Sequence, residues 1–213
     1  MRKKIFSVVL LGAAFFALAA CALVSDSLAE EKIVVGTTLE NLMAAYDGEM
    51  NANARYLAFA EKASKEGYDT AASLFRAAAY AEEIHFKRHA KIIKRLGGTP
   101  AAKMETPDVK STKENIESAV KGETYETNVM YPAFLKQAEK ENIKDAIDAF
   151  EDAGAAEGVH ASLYARMLKN LTFSKGIIKD FYVCPKCGNV LDAVITATCP
   201  ICSTSTKKFR KIS

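Results

Sequence analysis

An all-α four-helix bundle followed by a small four-cysteine module is the fold class this sequence predicts, and three observations predict it. Four long amphipathic stretches are separated by breaks rich in Gly, Asp and Pro. Glu and His recur at matching positions along those stretches. Four of the five cysteines of the 213-residue chain fall in its last 30 residues, as the knuckles Cys184-Pro185-Lys186-Cys187 and Cys199-Pro200-Ile201-Cys202.

The first 29 residues read as a processing segment. Arg2, Lys3 and Lys4 precede an apolar run from Ile5 to Val24, a basic start followed by a hydrophobic stretch just long enough to span a bilayer. Three outcomes fit it: cleavage after Ser27-Leu28-Ala29, lipidation of Cys21 in the lipobox-like Leu18-Ala19-Ala20-Cys21, or a retained anchor. All three place the body of the protein outside the cytoplasm of a bacterium, periplasmic or membrane-attached. Without residues 1–29 the formal charge falls from +3 to +1, through loss of Arg2, Lys3, Lys4 and Asp26. A nearly neutral body with no basic patch interleaved with aromatics excludes nucleic acid as an expected partner.

Residues 36–172 hold the bundle. Thr38 is the expected cap of a first helix carrying Leu42, Ala45, Met50, Leu57 and Ala60 at helical spacing, ended by Gly67 and Asp69. A second helix runs from about Thr70 to Leu96, stopped by Gly97-Gly98-Thr99-Pro100. The stretch to Val109, with Pro100 and Pro107, is the one long crossover. Ser111 or Thr112 opens a third helix to about Glu141, with Glu114 and Glu117 in its early turns and Pro132 inside it as an expected bend. The fourth spans about Ile143 to Asn170. Two hairpins joined by a crossover make a bundle.

Periodicity then turns an unusual set of groups inward. Glu82 and His85 are three apart on the second helix, as are Glu157 and His160 on the fourth, so each pair shares one side of its helix. Glu49 lies mid-way along the first helix; Glu123 and Glu126 form an i,i+3 pair on the third. Glu49 and Glu82 are 33 residues apart and Glu123 and Glu157 are 34, the mark of two equivalent hairpins. Carboxylates gathered inside an apolar bundle lose their hydration and need a compensating positive charge, which two cations would supply. A Glu from each of two helices and Glu-x-x-His from the other two is the signature of ferritin-like di-iron and di-manganese proteins. Mixed oxygen and imidazole donors suit iron or manganese. His89, one turn past His85, is read as a supporting or surface residue.

Residues 179–213 are too few to fold on apolar burial alone, so an ion held by Cys184, Cys187, Cys199 and Cys202 is the expected staple. Iron and zinc fit this spacing equally, and a pair of disulfides is the rival reading.

The order of these motifs resembles the rubrerythrin family over nearly all of the chain beyond Thr38. The resemblance rests on Gly48-Glu49-Met50-Asn51-Ala52, Glu82-Glu83-Ile84-His85, Gly122-Glu123-Thr124-Tyr125-Glu126 with Met130-Tyr131-Pro132, Glu157-Gly158-Val159-His160, and the two knuckles. It implies a ferritin-like di-iron domain followed by a rubredoxin-like domain. It further implies that Glu82 and Glu157 bridge two irons, that Glu49 is terminal on the first, and that Glu123 and His160 complete the second. By the same resemblance the first iron exchanges Glu126 for His85 on reduction, and Tyr56 and Tyr131 hydrogen-bond to ligating glutamates. The implied activity is reduction of hydrogen peroxide to water in oxidative-stress defence, by an NAD(P)H-linked or other donor-linked peroxidase. Electrons would pass from a four-cysteine iron, with zinc possible in its place, to the di-iron centre. A homodimer with the relay between subunits is also implied.

Two features depart from the family pattern. The export segment puts the unidentified electron donor outside the cytoplasm, and Ser203 stands where the second knuckle usually has glycine. The competing readings are a ferroxidase or iron-handling bundle, and a zinc-stapled structural module.

Overall fold

The computed structural model describes residues 33–213, so the export segment with Cys21 and Ala29 lies outside the described residues. The four bundle columns are α1 (Thr38–Lys65), α2 (Asp69–Arg95), a third column in pieces, and a last helix, Lys144–Lys169. That third column is α3 (Thr112–Tyr125), a π turn (Glu126–Met130) and α4 (Tyr131–Lys140); the last helix is α5. No described helix is long and apolar enough to cross a membrane.

The helix starts follow their caps. Thr37, one residue before the expected Thr38, caps α1 in a capping box with Glu40; Ser111 does the same for α3 with Glu114. The inward stripe of α1 also differs from expectation. It runs through Leu42, Ala45, Glu49, Ala52, Tyr56, Phe59 and Ala63, while Leu57 is 49% exposed, because positions 50 and 57 sit one residue off the buried heptad. The crossover is pinned to α1 by side chains: Asp47 Oδ1 accepts the Lys103 N–H (2.6 Å) and Asn51 Oδ1 that of Glu105 (2.9 Å). At its far end Glu66 accepts from the Thr112 N–H (2.9 Å) and hydroxyl (2.6 Å).

Pro132 was expected to bend one long helix; the chain instead widens just before it. A proline has no N–H to give an i−4 carbonyl and its ring collides with that carbonyl. The π turn absorbs the mismatch, with the Tyr131 N–H donating to Glu126 O five residues back. Glu126 opens this turn and Tyr131 follows it.

Two apolar clusters pack the bundle, one on either side of a polar layer. One gathers Phe59, Phe75, Ile116, Leu163 and Tyr164; the other gathers Leu42, Ile93, Tyr131, Phe134 and Phe150. Between them along the helices lie Glu49, Glu82, His85, Glu123, Glu157 and His160, all buried. Alanines fill much of α2's inner face and let the columns approach closely enough for these side chains to meet.

The C-terminal module is a three-stranded antiparallel sheet ordered β2-β1-β3, with β1 Phe181–Val183, β2 Val190–Leu191 and β3 Arg210–Ile212. Phe181, Val183 and Val190 join the bundle's first apolar cluster, so the sheet rests on the bundle through side chains of its own core. Each knuckle closes alike: the Gly188 N–H donates to Cys184 O (3.1 Å) and the Ser203 N–H to Cys199 O (3.0 Å). Both residues are left-handed, Gly188 at φ +74° and Ser203 at φ +60°. Serine adopts that conformation at a cost glycine does not meet. Ser203→Gly is therefore expected to stabilise the metal-loaded module by about 0.5–1 kcal/mol, net of glycine's larger unfolded-state entropy. Thermal denaturation checks this, and an unchanged or lower midpoint would refute it.

Candidate metal centre

Each helix column delivers its acids and histidines to the polar layer because the i,i+3 spacing stacks them on one face. Two sets of four donors form there, each with its ligand atoms within 4.8 Å of one another: Glu49, Glu82, His85 and Glu157, and Glu82, Glu123, Glu157 and His160. Glu82 and Glu157 belong to both. Glu157 Oε1 lies 2.8 Å from His85 Nδ1 and its Oε2 lies 2.7 Å from His160 Nδ1. Glu82 divides the same way, with Oε2 3.0 Å from His85 Nδ1 and Oε1 3.7 Å from His160 Nδ1. One carboxylate oxygen toward each set is the disposition of a bridge.

The residues fit a pair of cations on grounds of chemistry as well as spacing. Both oxygens of Glu82 and Glu157, one oxygen each of Glu49 and Glu123, and Nδ1 of both histidines are buried with no partner outside this layer, facing only one another. So many buried orphan donors aimed at one layer have no account without a ligand. Glu126, by contrast, is half-buried on the π turn and stands outside both sets.

Burial, then the neighbouring carboxylates, hold Glu49, Glu82 and Glu126 above the usual range and push Glu123 up to about 8. Burial works against charge on His85 and His160 too, but Glu157 between them raises both. Glu157 itself, despite burial, is held low by the two rings. Below an ordinary carboxyl value of 4.5 the native and unfolded chains are both protonated at Glu123; between there and about 8 the native chain holds the proton and the unfolded chain has lost it. Stability falls with pH wherever the native state binds more protons, and the raised histidines act in the same sense above 6.5. The metal-free bundle is thus expected to melt at a lower temperature at pH 8 than at pH 5.5. Ferrous ion should remove most of that difference, and a flat apo profile would contradict it.

Hydrogen bonds brace the ligands. The Tyr56 hydroxyl donates to Glu123 Oε1 (2.7 Å) and the Tyr131 hydroxyl to Glu49 Oε1. Burial keeps both phenols neutral, hence donors. Gly154 on α5 makes room for Tyr131, since a Cβ there would lie 2.9 Å from the Tyr131 Cβ. His89 is buried, not at the surface, with Nε2 3.2 Å from the Tyr131 oxygen. Because that phenol's proton goes to Glu49, His89 donates through Nε2. Burial brings His89 down to about 3, so the ring is neutral.

The four cysteines are free of disulfides and gather within 4.8 Å, three of them buried and Cys202 half-buried. A tetrahedral ion with metal–sulfur bonds of about 2.3 Å sets sulfur–sulfur edges of about 3.8 Å. The Cys184–Cys202 and Cys187–Cys199 separations are 3.5 and 3.6 Å. The rival disulfide reading finds no support in this arrangement.

The knuckle also touches the bundle's ligands directly. His85 Nε2 lies 3.0 Å from Cys187 O and His160 Nε2 lies 3.1 Å from Gly188 O. Only glycine permits this, since a Cβ on position 188 would overlap the His85 ring, coming within 3.0 Å of Cδ2 and Cε1. Sequence reasoning has no signal for this contact. It also passed over Tyr164, one turn after His160 on the same face, whose buried hydroxyl has no partner and whose ring packs 5.6 Å from Tyr56 and 5.2 Å from Phe75. The i,i+4 spacing could have found it.

A four-helix bundle with two carboxylate–histidine sets sharing two glutamates, capped by a four-thiol knuckle sheet, is a ferritin-like domain joined to a rubredoxin-like one. The family model described as Rubrerythrin matches residues 40–168, and the chain belongs to the rubrerythrin family. It is 38% identical over 178 residues to nigerythrin of Nitratidesulfovibrio vulgaris, covering 83% of this chain and 87% of that protein. It is 35% identical over 176 residues to rubrerythrin-2 of Clostridium acetobutylicum, covering 81% and 95%. The solved structure of fully reduced, all-ferrous nigerythrin superposes with a TM-score of 0.80 at 36% identity, over 86% of this chain and 91% of that one. A Desulfovibrio desulfuricans bacterioferritin, at 22% identity and TM-score 0.62, shares the bundle fold. Rubrerythrins and nigerythrins are di-iron proteins of oxidative-stress defence.

Proposed function

We propose that this protein reduces hydrogen peroxide to two waters, taking two electrons and two protons per turnover, with Glu49, Glu82, His85, Glu123, Glu126, Glu157 and His160 holding two irons and the four cysteines a third. The observation that carries the reading is the contact of both ligand histidines with the knuckle backbone at Cys187 and Gly188. Bound iron would supply an electron pair to peroxide in the bundle and single-electron transfer at the thiolates.

The chain's own groups set the conditions for that chemistry. Nε2 of His85 and His160 faces a knuckle carbonyl, which can only accept, so each ring carries a proton there and leaves Nδ1, turned toward the carboxylates, as the nitrogen that would hold a cation. That donation fixes the tautomer and ties the ring's position to the thiolate module. Tyr56 and Tyr131 hold Glu123 and Glu49 with their neutral hydroxyls. The apolar clusters on either side exclude water from the layer. His85 stands in the first donor set while Glu126 stands apart, the arrangement that the family's ligand exchange assigns to the reduced state.

A homodimer is proposed on the family pattern, and the contact of His85 and His160 with the knuckle of their own chain supports electron passage within a subunit. Export through residues 1–29 is proposed from sequence alone; labelling with radioactive palmitate in wild type and Cys21→Ala decides between lipidation and the other outcomes.

Stopped-flow mixing of the reduced protein with peroxide and with oxygen, following the ferric-thiolate band, tests the function. Faster reoxidation by peroxide is expected; preference for oxygen would favour iron oxidation instead, and a protein holding only zinc at the cysteines would end the relay reading. His85→Ala is expected to keep two irons in the oxidised protein and slow turnover roughly ten-fold or more. Unchanged steady-state rates with donor in excess would remove His85 from the redox cycle.

A further inference from the structure

The cleft where the knuckle module meets α2 is lined by cations. Lys87, Arg88 and Lys91 of α2 face Lys186 of the first knuckle and Arg210 of β3 across it, with Tyr80, Ile84, Pro185 and one acid, Glu83, completing the walls. Lys87 is paired with Glu83 and Arg88 with Asp152. Among the described residues, Lys91, Lys186 and Arg210 have no carboxylate partner, and Arg210 is held instead over the Tyr80 ring, 4.4 Å from its centroid. Lys91, Lys186 and Arg210 are exposed. The bias extends through the module, where residues 179–213 carry six Lys or Arg against two Asp.

Unpaired cations beside a redox site answer a specific electrostatic problem. Four thiolates around a divalent or trivalent ion leave a net negative charge, which repels an acidic partner unless cations surround it. Here they do, and where entry matters: Pro185 and Lys186 lie between Cys184 and Cys187 in sequence, and Ile84 and Glu83 adjoin His85 and Glu82.

The geometry points to this cleft as the docking site of an acidic one-electron carrier protein that re-reduces the four-thiolate centre. One electron leaves the carrier and arrives on that centre, with no bond made or broken and no proton moved. A concave site suits a protruding acidic face better than the flat surface of an anionic membrane. Opposite potentials of this kind act mainly on the rate of encounter, and salt screens them. This inference rests on the relay reading of the cysteine site.

The test uses the iron-loaded protein with a purified acidic ferredoxin as probe and photoreduced 5-deazariboflavin, a neutral reductant, as control. Binding of the ferredoxin is followed by surface plasmon resonance and reduction by stopped flow, at low and high salt. Both should weaken about ten-fold or more with salt, and by a similar factor in the triple variant K91E/K186E/R210E at low salt. Reduction by deazariboflavin should not change. The pair K207E/K208E reverses charges on the same module outside the cleft and should cost far less. Equal losses in the two variants, unchanged ferredoxin binding in the triple variant, or a variant defect confined to binding of phosphatidylglycerol vesicles would each overturn the docking site. Failure of deazariboflavin to reduce the wild-type centre would overturn the relay reading, and this inference with it.

Discussion

Glu157→Ala is expected to remove both irons from the bundle, not one. Each oxygen of Glu157 faces a different histidine, at 2.8 and 2.7 Å, and the residue belongs to both donor sets. Its loss takes a ligand from each position and also removes the anion that balances His85 and His160. Glu123, which enters one set only, provides the contrast: Glu123→Ala should spare the first position. Metal analysis should find about two irons fewer per chain in Glu157→Ala, with the ferric-thiolate band intact and peroxide turnover gone. The isosteric Glu157→Gln separates lost charge from lost volume. A Glu157→Ala protein that kept two irons and full turnover would end the assignment.

Mixing two inactive variants is expected to give no activity. One partner is Glu157→Ala, which keeps the thiolate centre; the other is Cys184→Ser/Cys187→Ser, which keeps the bundle site. The family resemblance implies a relay between subunits, and under that arrangement a mixed dimer would pair a working relay with a working bundle. In this structure the knuckle carbonyls at Cys187 and Gly188 reach His85 and His160 of the same chain, and the missing side chain at Gly188 makes the approach possible. Each mixed dimer then holds two broken relays. Co-expressing the variants with different tags and purifying through both isolates the mixed species; peroxide turnover near half that of wild type would show that electrons cross between chains.

The bundle was legible because its determinants are local. Glu-x-x-His at three-residue spacing on α2 and α5 fixes a shared face wherever a helix forms, and the matching hairpin separations placed Glu49 and Glu123 opposite them. Breaks at Gly67 and Gly97 bounded α1 and α2 to within a few residues for the same reason, both glycines being left-handed. What escaped depends on partners distant in sequence. Pro132 signalled a disturbance, but whether a helix bends or widens is settled by what it packs against, here Tyr131 on Gly154 of α5. His89 could not be told from a surface residue because its partner is 42 positions away. The His85–Cys187 contact spans 102 positions, and no periodicity encodes it.

The polar layer dividing the bundle's apolar packing bears on how the molecule comes apart. The cluster around Phe59, Phe75 and Leu163 also receives the knuckle sheet, whereas among the described residues the cluster around Leu42, Phe134 and Phe150 is built from the bundle and the segment leading into it. Cations bonded across the layer tie the two ends together; protons on the same carboxylates do not. Amide hydrogen exchange in the metal-free protein should therefore resolve two foldons, with the Leu42–Phe134–Phe150 end opening first, and should merge them into one cooperative unit when metal is restored.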